Sequence, residues 1–471
     1  MATSASQLSS ADNKHAAFKT SPDKYVSLGT LIGDYAKPDA RELLIKRFGD
    51  QGITAFLKLT GAVNNVGTSD EVFYFEEGRR HKIISGIDGV TGGNATAGAE
   101  ALVDMGGAGT DKVAAPNDII MNTANGEMFI VVETASLGVA PGFTSVSPSD
   151  GRIVLQALDG NAKTTITTAD KLAIVGNMHA QGSAEPLSYY EPDVKRHKQT
   201  FSIIKNKYEV NGSQATNIGY VNVGNGDYRW FIKGEMEARA RFEDLREMTM
   251  LFGEQRANAN SLDVKGSEGY FSAVQNRGIV TSGVTADGFD SFTELDALIK
   301  ELDKQGAPAE YAMYLNRDAS LKIDDMLAGG IATQVTAGLA GQFGAFNNDA
   351  EMAVNLGFKS FTRGGYTFHK HDWKLLNDPN LLGGATTGAP YHGAMVPMTQ
   401  VTDPQTGNRA PALEMNYKSA NGYSRELEHW VTGGGVLGHR TDGTDKATFH
   451  YRSECALITR AANQHVILKG A

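Results

Sequence analysis

The longest periodic pattern of apolar positions lies in the segment RWFIKGEMEARARFEDLREMTMLFGEQ, residues 229–255. Apolar side chains recur there every three or four residues, which is typical of one face of an α-helix. This apolar stripe consists of Ala238, Phe242, Leu245, Met248 and Phe252. Glu235 and Glu237 each precede an arginine by four residues, a spacing that supports a helix. We therefore predict one long helix, with its stripe packed on the protein core and a wide charged face outside.

A second helix is predicted over residues 291–306, SFTELDALIKELDKQG. Ser291 and Glu294 have the spacing of a capping box, and Gly306 stands where such a helix should end. Further on, residues 355–373 read as a hairpin with a Gly-Gly turn, whereas 270–283 read as a loop with short strand potential.

Strand-like patterns dominate the first half of the chain. Aromatic and polar residues alternate in EVFYFEEGRRHKI (71–83), and basic residues interleave with apolar ones in HKQTFSIIKNKYEVNG (197–212). These two segments are expected to pair as the arms of one long hairpin. Between them, at about 100–183, short apolar runs alternate with polar turns, and the pairs Asn125-Gly126 and Asp159-Gly160 are hairpin signals. We interpret this stretch as a small β-barrel or sandwich inserted into the hairpin.

Composition narrows the class of protein. A chain of 471 residues with 41% hydrophobic and 21% charged residues is typical of a folded protein of two to four domains. The mixture of helical and strand patterns indicates an α+β fold. The net charge of −10 argues against a general nucleic-acid binder, which usually carries a strongly basic surface. This negative charge is compatible with a protein that encloses nucleic acid without binding it tightly.

The single cysteine, Cys455, permits no internal disulfide and suits a reducing compartment. Its strand-like surroundings indicate a buried small residue and not a nucleophile. No run of about 18 apolar residues occurs, so no membrane span is expected. The N-terminal residues carry no signal-peptide pattern. Because residues 1–35 are polar and poor in apolar side chains, we expect a flexible arm there that becomes ordered only against neighbouring molecules.

Candidate chemistry is sparse. His369 and His371 in FHKHDW would point to the same side of a strand, and two such histidines can form part of a zinc site. A third ligand is not fixed by the sequence, although His392 and Asp372 are the nearest candidates. Surface or interface histidines are therefore the preferred interpretation. The sequence GGGVLG (433–438) matches a nucleotide-binding glycine pattern but precedes a turn and not a helix, so it predicts no nucleotide site. No cofactor is expected.

The order of these elements resembles that of the major capsid proteins of tailed bacteriophages, whose Hong Kong 97-like fold is shared with encapsulins and herpesvirus capsid floors. HKQTFSIIKNKYEVNG resembles the descending strand of that family's extended loop, and residues 229–255 resemble its spine helix. Residues 291–318 resemble the helix, strand and turn of its axial domain. The stretch NGYSRELEHWVTGG, followed by a Gly/Asp-rich turn and a strand with RSECAL, resembles the C-terminal part of podovirus and crAss-like capsid proteins.

This resemblance covers most of residues 38–471 and implies a domain organisation. The implied parts are an N-terminal arm (1–37), the start of a peripheral domain (38–70), an extended loop (71–226) with the inserted β-domain at about 100–183, the peripheral domain with the spine helix (227–285), an axial domain (286–410), and returning strands of both domains (411–471). The core positions of the spine helix would be Phe242, Leu245, Met248 and Phe252.

The function implied by the resemblance is that of a shell subunit. It would assemble with itself, through hexamers and pentamers, into an icosahedral virion capsid around phage double-stranded DNA, within the host cytoplasm. A portal and decoration or auxiliary capsid proteins would be its other partners. Two alternatives stay open at this point: a soluble β-rich metal-dependent hydrolase or binding protein that uses His369 and His371, and the shell of a cellular nanocompartment.

Overall fold

The structure is a computed structural model, and the residues that it describes are 63–79, 81, 83–92, 97–104, 114–134, 152–183, 194–216, 230–255, 265–281, 289, 291–336, 360–378, 391–398, 400–402, 407, 409–434 and 440–469. The expected N-terminal arm, residues 1–37, lies outside the described residues, and so do residues 38–62 of the expected start of the peripheral domain.

The strands, in chain order, are β1 (Val63–Asn65), β2 (Glu71–Glu77), β3 (Ile83–Ile84), β4 (Gly89–Gly92), β5 (Glu100–Asp104), β6 (Asp118–Asn122), β7 (Met128–Thr134), β8 (Arg152–Ala157), β9 (Leu172–Asn177), β10 (Val194–Thr200), β11 (Ser202–Asn211), β12 (Ile279–Thr281), β13 (Glu310–Leu315), β14 (Ser360–Arg363), β15 (Tyr366–Asp372), β16 (Tyr391–Pro397), β17 (Val401–Thr402), β18 (Arg409–Ala410), β19 (Leu413–Tyr417), β20 (Ser419–Ala420), β21 (Tyr423–Ser424), β22 (Glu428–Gly433), β23 (Lys446–Thr459) and β24 (Val466–Lys469). The α-helices are α1 (Gly212–Ala215), α2 (Trp230–Phe252), α3 (Tyr270–Arg277), α4 (Phe292–Lys304) and α5 (Arg317–Thr336). Short 3-10 turns occupy Lys374–Asn377 and Ala462–Gln464. The fold is therefore of the mixed α+β class that the sequence predicts.

The chain divides into two compact units. One unit consists of Met1–Val72 together with Lys198–Ala471, and the other is the continuous segment Phe73–His197. The second unit is thus wider than the inserted domain expected at about 100–183.

The first unit contains a five-stranded sheet organised around the long strand β23. One edge of β23 pairs antiparallel with β11 over the whole length of β11, from Ser202 opposite Cys455 to Asn211 opposite Lys446. Its other edge pairs in succession with β22 and β19. β1 extends the sheet by pairing parallel to β19. The single strand β23 therefore holds together strands that are far apart in the sequence.

Helix α2 packs against one face of this sheet. The side chains of β11 alternate between buried and exposed positions, so that Ile204 and Val210 lie on the α2 side while Ile203 and Lys205 lie on the opposite side. The apolar cluster beneath the helix includes Phe242, Met250, Leu251, Ile204, Phe449, Tyr451 and Leu457.

A six-stranded mixed sheet, in the order β12-β24-β16-β13-β15-β14, forms the second part of this unit. Helices α4 and α5 contribute to its core, which includes Leu295, Leu298, Leu302, Ala319, Ile323, Tyr311 and Phe368. The predicted helix at 291–306 is present as α4, and the described part of the predicted hairpin at 355–373 is present as β14 and β15. Gly306 ends α4 with a φ of 63°, and Gly364 and Gly365 form the β14-β15 turn with φ of 59° and 85°.

The segment 270–283, interpreted as a loop, is wrong as a prediction over its first half, because Tyr270–Arg277 is helix α3. Its buried side chains, Tyr270, Phe271, Ala273 and Val274, have helical spacing and face the core. The helix is short, and the flanking glycines 269 and 278 are typical of turns, so the sequence pattern favoured a loop. The residue that precedes α3 lies next to the end of α2, since the amide of Gly269 donates to the carbonyl of Gly253 at 2.7 Å.

The second unit contains a seven-stranded antiparallel sheet in the order β3-β9-β6-β7-β8-β5-β4. Its core includes Ile84, Val103, Ile120, Phe129, Val131, Ile153, Leu155 and Leu172. Asn125-Gly126 does form the β6-β7 hairpin turn, with φ of 76° at Gly126. Asp159-Gly160 forms a turn but no hairpin, because β8 pairs with β5 and β7 and not with the next strand, β9.

The expected long hairpin is realised only in part. Residues 197–212 form two strands, of which β10 pairs with β2 while β11 pairs with β23. The break falls where side chains bind the segment 266–268: Thr200 Oγ1 donates to the carbonyl of Gly266 at 2.7 Å, and the amide of Ser267 donates to Ser202 Oγ at 2.7 Å. These bonds fix the point at which the chain passes from the β2-β10 ribbon into the five-stranded sheet.

In the part of the chain that the structure describes, no helix is both long and apolar enough to cross a membrane.

Candidate functional site

The apolar stripe of α2 meets the five-stranded sheet mainly through Phe242. This side chain is fully buried and its ring stacks on that of Tyr451 with a centroid separation of 5.8 Å. Met248 and Phe252 are partly buried and pack against the same cluster, and Phe252 stacks on Phe271 of α3 at 5.0 Å. The helix is thus held along its length by aromatic contacts.

Leu245 departs from the expectation that the whole stripe faces the core. Its side chain is 44% exposed. A helix of 3.6 residues per turn that packs on a flat sheet buries a narrow line of side chains, and Leu245 lies beside this line. The expectation that Leu245 is a core residue is therefore corrected.

The charge pairs of α2 also differ from those expected. The ion pairs along the helix join Lys233 to Glu237 at 3.3 Å and Arg239 to Glu243 at 3.2 Å. Glu235 faces the sheet, where its carboxylate accepts a hydrogen bond from the Tyr451 hydroxyl at 3.1 Å. The α2 face next to the sheet is consequently partly polar near its N-terminal end.

Strands β2 and β10 form a two-stranded ribbon. The second unit begins within β2 and ends within β10. On one side of this ribbon, Tyr74 is buried and stacks on His197 at 5.1 Å, while His197 also lies 3.2 Å from the carboxylate of Glu76. These contacts hold the two strands together through their side chains as well as their backbones.

The other side of the ribbon is apolar and exposed. Phe73 is 45%, Phe75 66% and Val194 57% exposed, and Arg196 extends over the Phe73 ring at 5.1 Å. A two-stranded ribbon is marginally stable by itself, and clusters of exposed aromatic rings are typical of interaction surfaces. This apolar ribbon face, defined as Phe73, Phe75 and Val194, is the most conspicuous candidate contact surface of the second unit.

The two candidate metal ligands do not converge on a site. His369 and His371 lie on β15 as expected, and the His371 ring stacks on Tyr314 at 5.3 Å. Among the described residues, no group of three or more His, Cys, Asp or Glu side chains is arranged to hold a metal ion.

The residues considered as a third ligand are engaged elsewhere. Asp372 forms an ion pair with Arg317 at 2.8 Å. His392 is buried, and its Nδ1 lies 3.0 Å from the side-chain amide of Asn316. No described contact therefore connects His369 or His371 to either residue.

Cys455 and the glycine-rich segment have structural surroundings. Cys455 is fully buried, and burial raises the pKa of its thiol to about 11, which disfavours the reactive thiolate. Gly433 ends β22, and Gly434 forms a bridge to Arg440 on the way to β23. The described part of this segment is a strand connection between antiparallel neighbours and not the start of a helix.

Sequence reasoning missed the apolar ribbon face. The signal was present in EVFYFEE, where aromatic residues occupy consecutive positions and so must appear on both sides of a strand. A strand with one covered side should carry apolar residues at every second position only.

Comparison with protein-family models finds no match, and comparison with curated proteins finds none either. Among solved structures, the capsid of the native GTA particle is similar with a TM-score of 0.41, 9% identity, and coverage of 94% of this chain and 100% of that one. The capsid of the cyanophage P-SCSP1u has a TM-score of 0.40 at 10% identity, with 94% of each chain covered. The SrpI encapsulin of Synechococcus elongatus PCC 7942 has a TM-score of 0.31 at 10% identity, covering 59% of this chain and 77% of that one.

Proposed function

We propose that this chain is a shell subunit: the major capsid protein of a tailed bacteriophage, with a Hong Kong 97-like fold. It assembles with itself through hexamers and pentamers into an icosahedral capsid that encloses double-stranded DNA without reading its sequence. Assembly takes place in the host cytoplasm, and a portal and decoration or auxiliary proteins complete the virion. The C-terminal resemblance favours a podovirus or crAss-like relative.

The observation that carries this proposal is the apolar ribbon face. Phe73, Phe75 and Val194 expose large apolar areas on a ribbon of only two strands. Covering such a face removes apolar area from water, at about 25 cal/mol for each Å². A second copy of the chain is the partner that is always present at equal concentration, and in a closed shell each ribbon meets an equivalent neighbour.

The remaining architecture supports the same role. Along the chain, the ribbon strand β10 leads into β11 of the five-stranded sheet, and the long helix α2 follows. The six-stranded sheet with α4 and α5 comes next, which is the order that the resemblance implies. We assign the β2-β10 ribbon to the extended loop, the seven-stranded unit to the inserted domain, α2 and the five-stranded sheet to the peripheral domain, and the six-stranded sheet with α4 and α5 to the axial domain.

The direct test is to make the ribbon face polar. In the variant Phe73→Ser/Phe75→Ser the subunit should keep its circular dichroism spectrum and its unfolding transition, because neither side chain belongs to one of the three apolar cores. We expect size-exclusion chromatography and negative-stain microscopy to show single subunits where the parent protein forms capsomers or closed particles.

The matched control is Phe73→Leu/Phe75→Leu, which keeps the apolar surface and should still assemble. Closed particles from the serine variant would show that the ribbon face makes no essential contact. A parent protein that stays a small monomer at high concentration would contradict the proposed function itself.

A further inference from the structure

The face of the five-stranded sheet opposite α2 carries an ordered pattern of charged and aromatic side chains. The pairing register places Lys205 opposite Arg452 and Lys207 opposite His450 on neighbouring strands. On the other edge of β23, Glu428 stands opposite Arg452 and Trp430 opposite His450. These side chains share one face, because alternate residues of each strand point the same way.

The charge of this surface is opposite in sign to that of the whole chain. Its cationic members are Lys205, Lys207, Lys446 and Arg452, and the carboxylates among them are Glu209 and Glu428. We call these six residues, with Trp430 and His450, the cationic sheet face. Glu454, further along β23, is already held by ion pairs with Lys418 and Arg425.

The two carboxylates do not neutralise the cations. Glu209 is shared between Lys207 at 2.9 Å and Lys446 at 3.4 Å, and Glu428 pairs with Arg452. Lys205 has no carboxylate partner within the described part of the chain. Lys207 keeps 65% of its side chain exposed. A local excess of positive charge thus persists on a protein with a net charge of −10.

Trp430 supplies a flat aromatic surface at the border of this cationic field. Its indole ring is parallel to the His450 imidazole, with an interplanar angle of 8° and a centroid distance of 4.9 Å, and the Arg452 guanidinium also lies 4.9 Å from the ring. Both neighbours lie on β23, so they cover the side of the indole that faces this strand. Since Trp430 remains 37% exposed, the opposite side accounts for open aromatic area.

We propose that the cationic sheet face binds single-stranded nucleic acid without sequence preference. A nucleotide base stacks on the open side of Trp430, while Lys205, Lys207 and Arg452 hold the phosphates of the neighbouring nucleotides. Stacking platforms beside cationic side chains are the usual means of binding single strands, because every base has an aromatic face. An unpaired strand fits better than a duplex, whose bases are not free to stack.

An acidic peptide is the competing partner on charge alone, and it would gain little from Trp430. A single-stranded nucleic acid can use both features of the surface, because its bases stack on the exposed indole and its phosphates bind the cations. An acidic peptide can use only the cations. This inference goes beyond the proposed shell function, since it concerns the unassembled subunit and does not require a particle.

The test uses the full chain as dispersed subunits and a fluorescein-labelled oligo-dT of twenty nucleotides, with binding followed by anisotropy at several salt concentrations. We expect Trp430→Ala to weaken binding about tenfold, which corresponds to the loss of one stacked base. Trp430→Phe should restore part of the affinity. Lys205→Gln and Lys207→Gln should each lower the slope of log K against log salt by about 0.7, the value for one phosphate contact to a single strand.

Lys300→Gln, an exposed lysine on α4, is the matched control and should leave both affinity and slope unchanged. Absence of binding at low salt would overturn the proposal. Full affinity in Trp430→Ala, or equal affinity for a duplex of the same length, would also overturn it. Either result would show that binding is electrostatic attraction alone, without base stacking. Tighter binding of poly-glutamate than of oligo-dT would identify an acidic protein segment as the partner instead.

Discussion

The hydroxyl group of Tyr208, on β11, lies directly against the backbone of Gly234 in the first half of α2, and a methyl group at position 234 would overlap it. Glycine inside a helix costs about 1 kcal/mol relative to alanine. Glycine is nevertheless suited to this position, because the end of the Tyr208 side chain occupies the space that a methyl group would need.

Replacing this glycine should therefore destabilise the protein despite the better helix propensity of alanine. We expect Gly234→Ala to lower the free energy of unfolding by about 1–3 kcal/mol, the usual effect of overpacking. Chemical denaturation of the variant measures the change. In the background Tyr208→Ala the same substitution should cost nothing or stabilise, and an unchanged penalty there would exclude the tyrosine as its cause.

The two central residues of the α2 stripe should respond differently to truncation. Phe242→Ala removes a fully buried ring and should cost about 3–5 kcal/mol. Leu245→Ala removes a side chain that is 44% exposed and should change the free energy of unfolding by about 0.5 kcal/mol or less in the isolated subunit. Equal losses in urea denaturation of the two variants would contradict the orientation of α2 on the sheet.

His465 should make the protein sensitive to mild acid. Its ring is fully buried beside the Tyr270 hydroxyl at 3.2 Å, and burial lowers its pKa to about 3 from the ordinary 6.5. Between these values only the unfolded chain takes up the proton, so that stability falls as pH decreases through this window and is independent of this group above it.

The expected loss is about 1.4 kcal/mol for each pH unit below 6.5, or about 2 kcal/mol at pH 5, where most carboxylates are still ionised. Urea denaturation of the parent protein at pH 7.5, 6 and 5 measures this slope. His465→Gln should be less stable than the parent at pH 7.5 but should show a flatter slope. An identical slope in both proteins would assign the acid sensitivity to other groups.

The histidine pair on β15 is expected to hold no metal. Elemental analysis of the purified protein should find far less than one equivalent of zinc for each chain, and a chelator should leave the unfolding transition in place. Stoichiometric zinc that disappears in His369→Ala/His371→Ala would restore the hydrolase interpretation.

The second unit should be removable. Replacing residues 78–193 with a short Gly/Ser linker keeps β2, β10 and the two apolar cores of the first unit. The product should fold, as judged by a cooperative unfolding transition, and should form particles of lower heat stability or none. An unfolded product would show that the seven-stranded unit is needed by the rest of the chain.

Local signals in the sequence were reliable guides to the second half of the molecule. The stop at Gly306 and the Gly364-Gly365 turn depend on backbone conformations that glycine favours, and each was correctly placed. The position of α2 was also predictable, because its apolar residues recur at helical spacing over a long segment.

Pairings between distant segments were not predictable. The sequence offered β2 as the natural partner for all of 197–212, since both segments alternate and flank the same insert. The choice of β23 as the partner of β11 depends on packing against α2 and on the hydrogen bonds of Thr200 and Ser202, none of which leaves a local pattern. The exposure of Leu245 was hidden for a similar reason, because periodicity gives the direction of a stripe but not the width of the surface that covers it.

β11 (Ser202–Asn211) and its partner β23 (Lys446–Thr459) are far apart in the sequence, and this separation matters while the chain is being synthesised. The seven-stranded unit is one continuous segment, Phe73–His197, and all of its strands have left the ribosome early. By contrast, β11 and α2 are synthesised long before β23, the strand with which β11 pairs. A growing chain therefore carries uncovered apolar surface from the synthesis of α2 until that of β23, and chains cut short before Lys446 should aggregate or depend on chaperones.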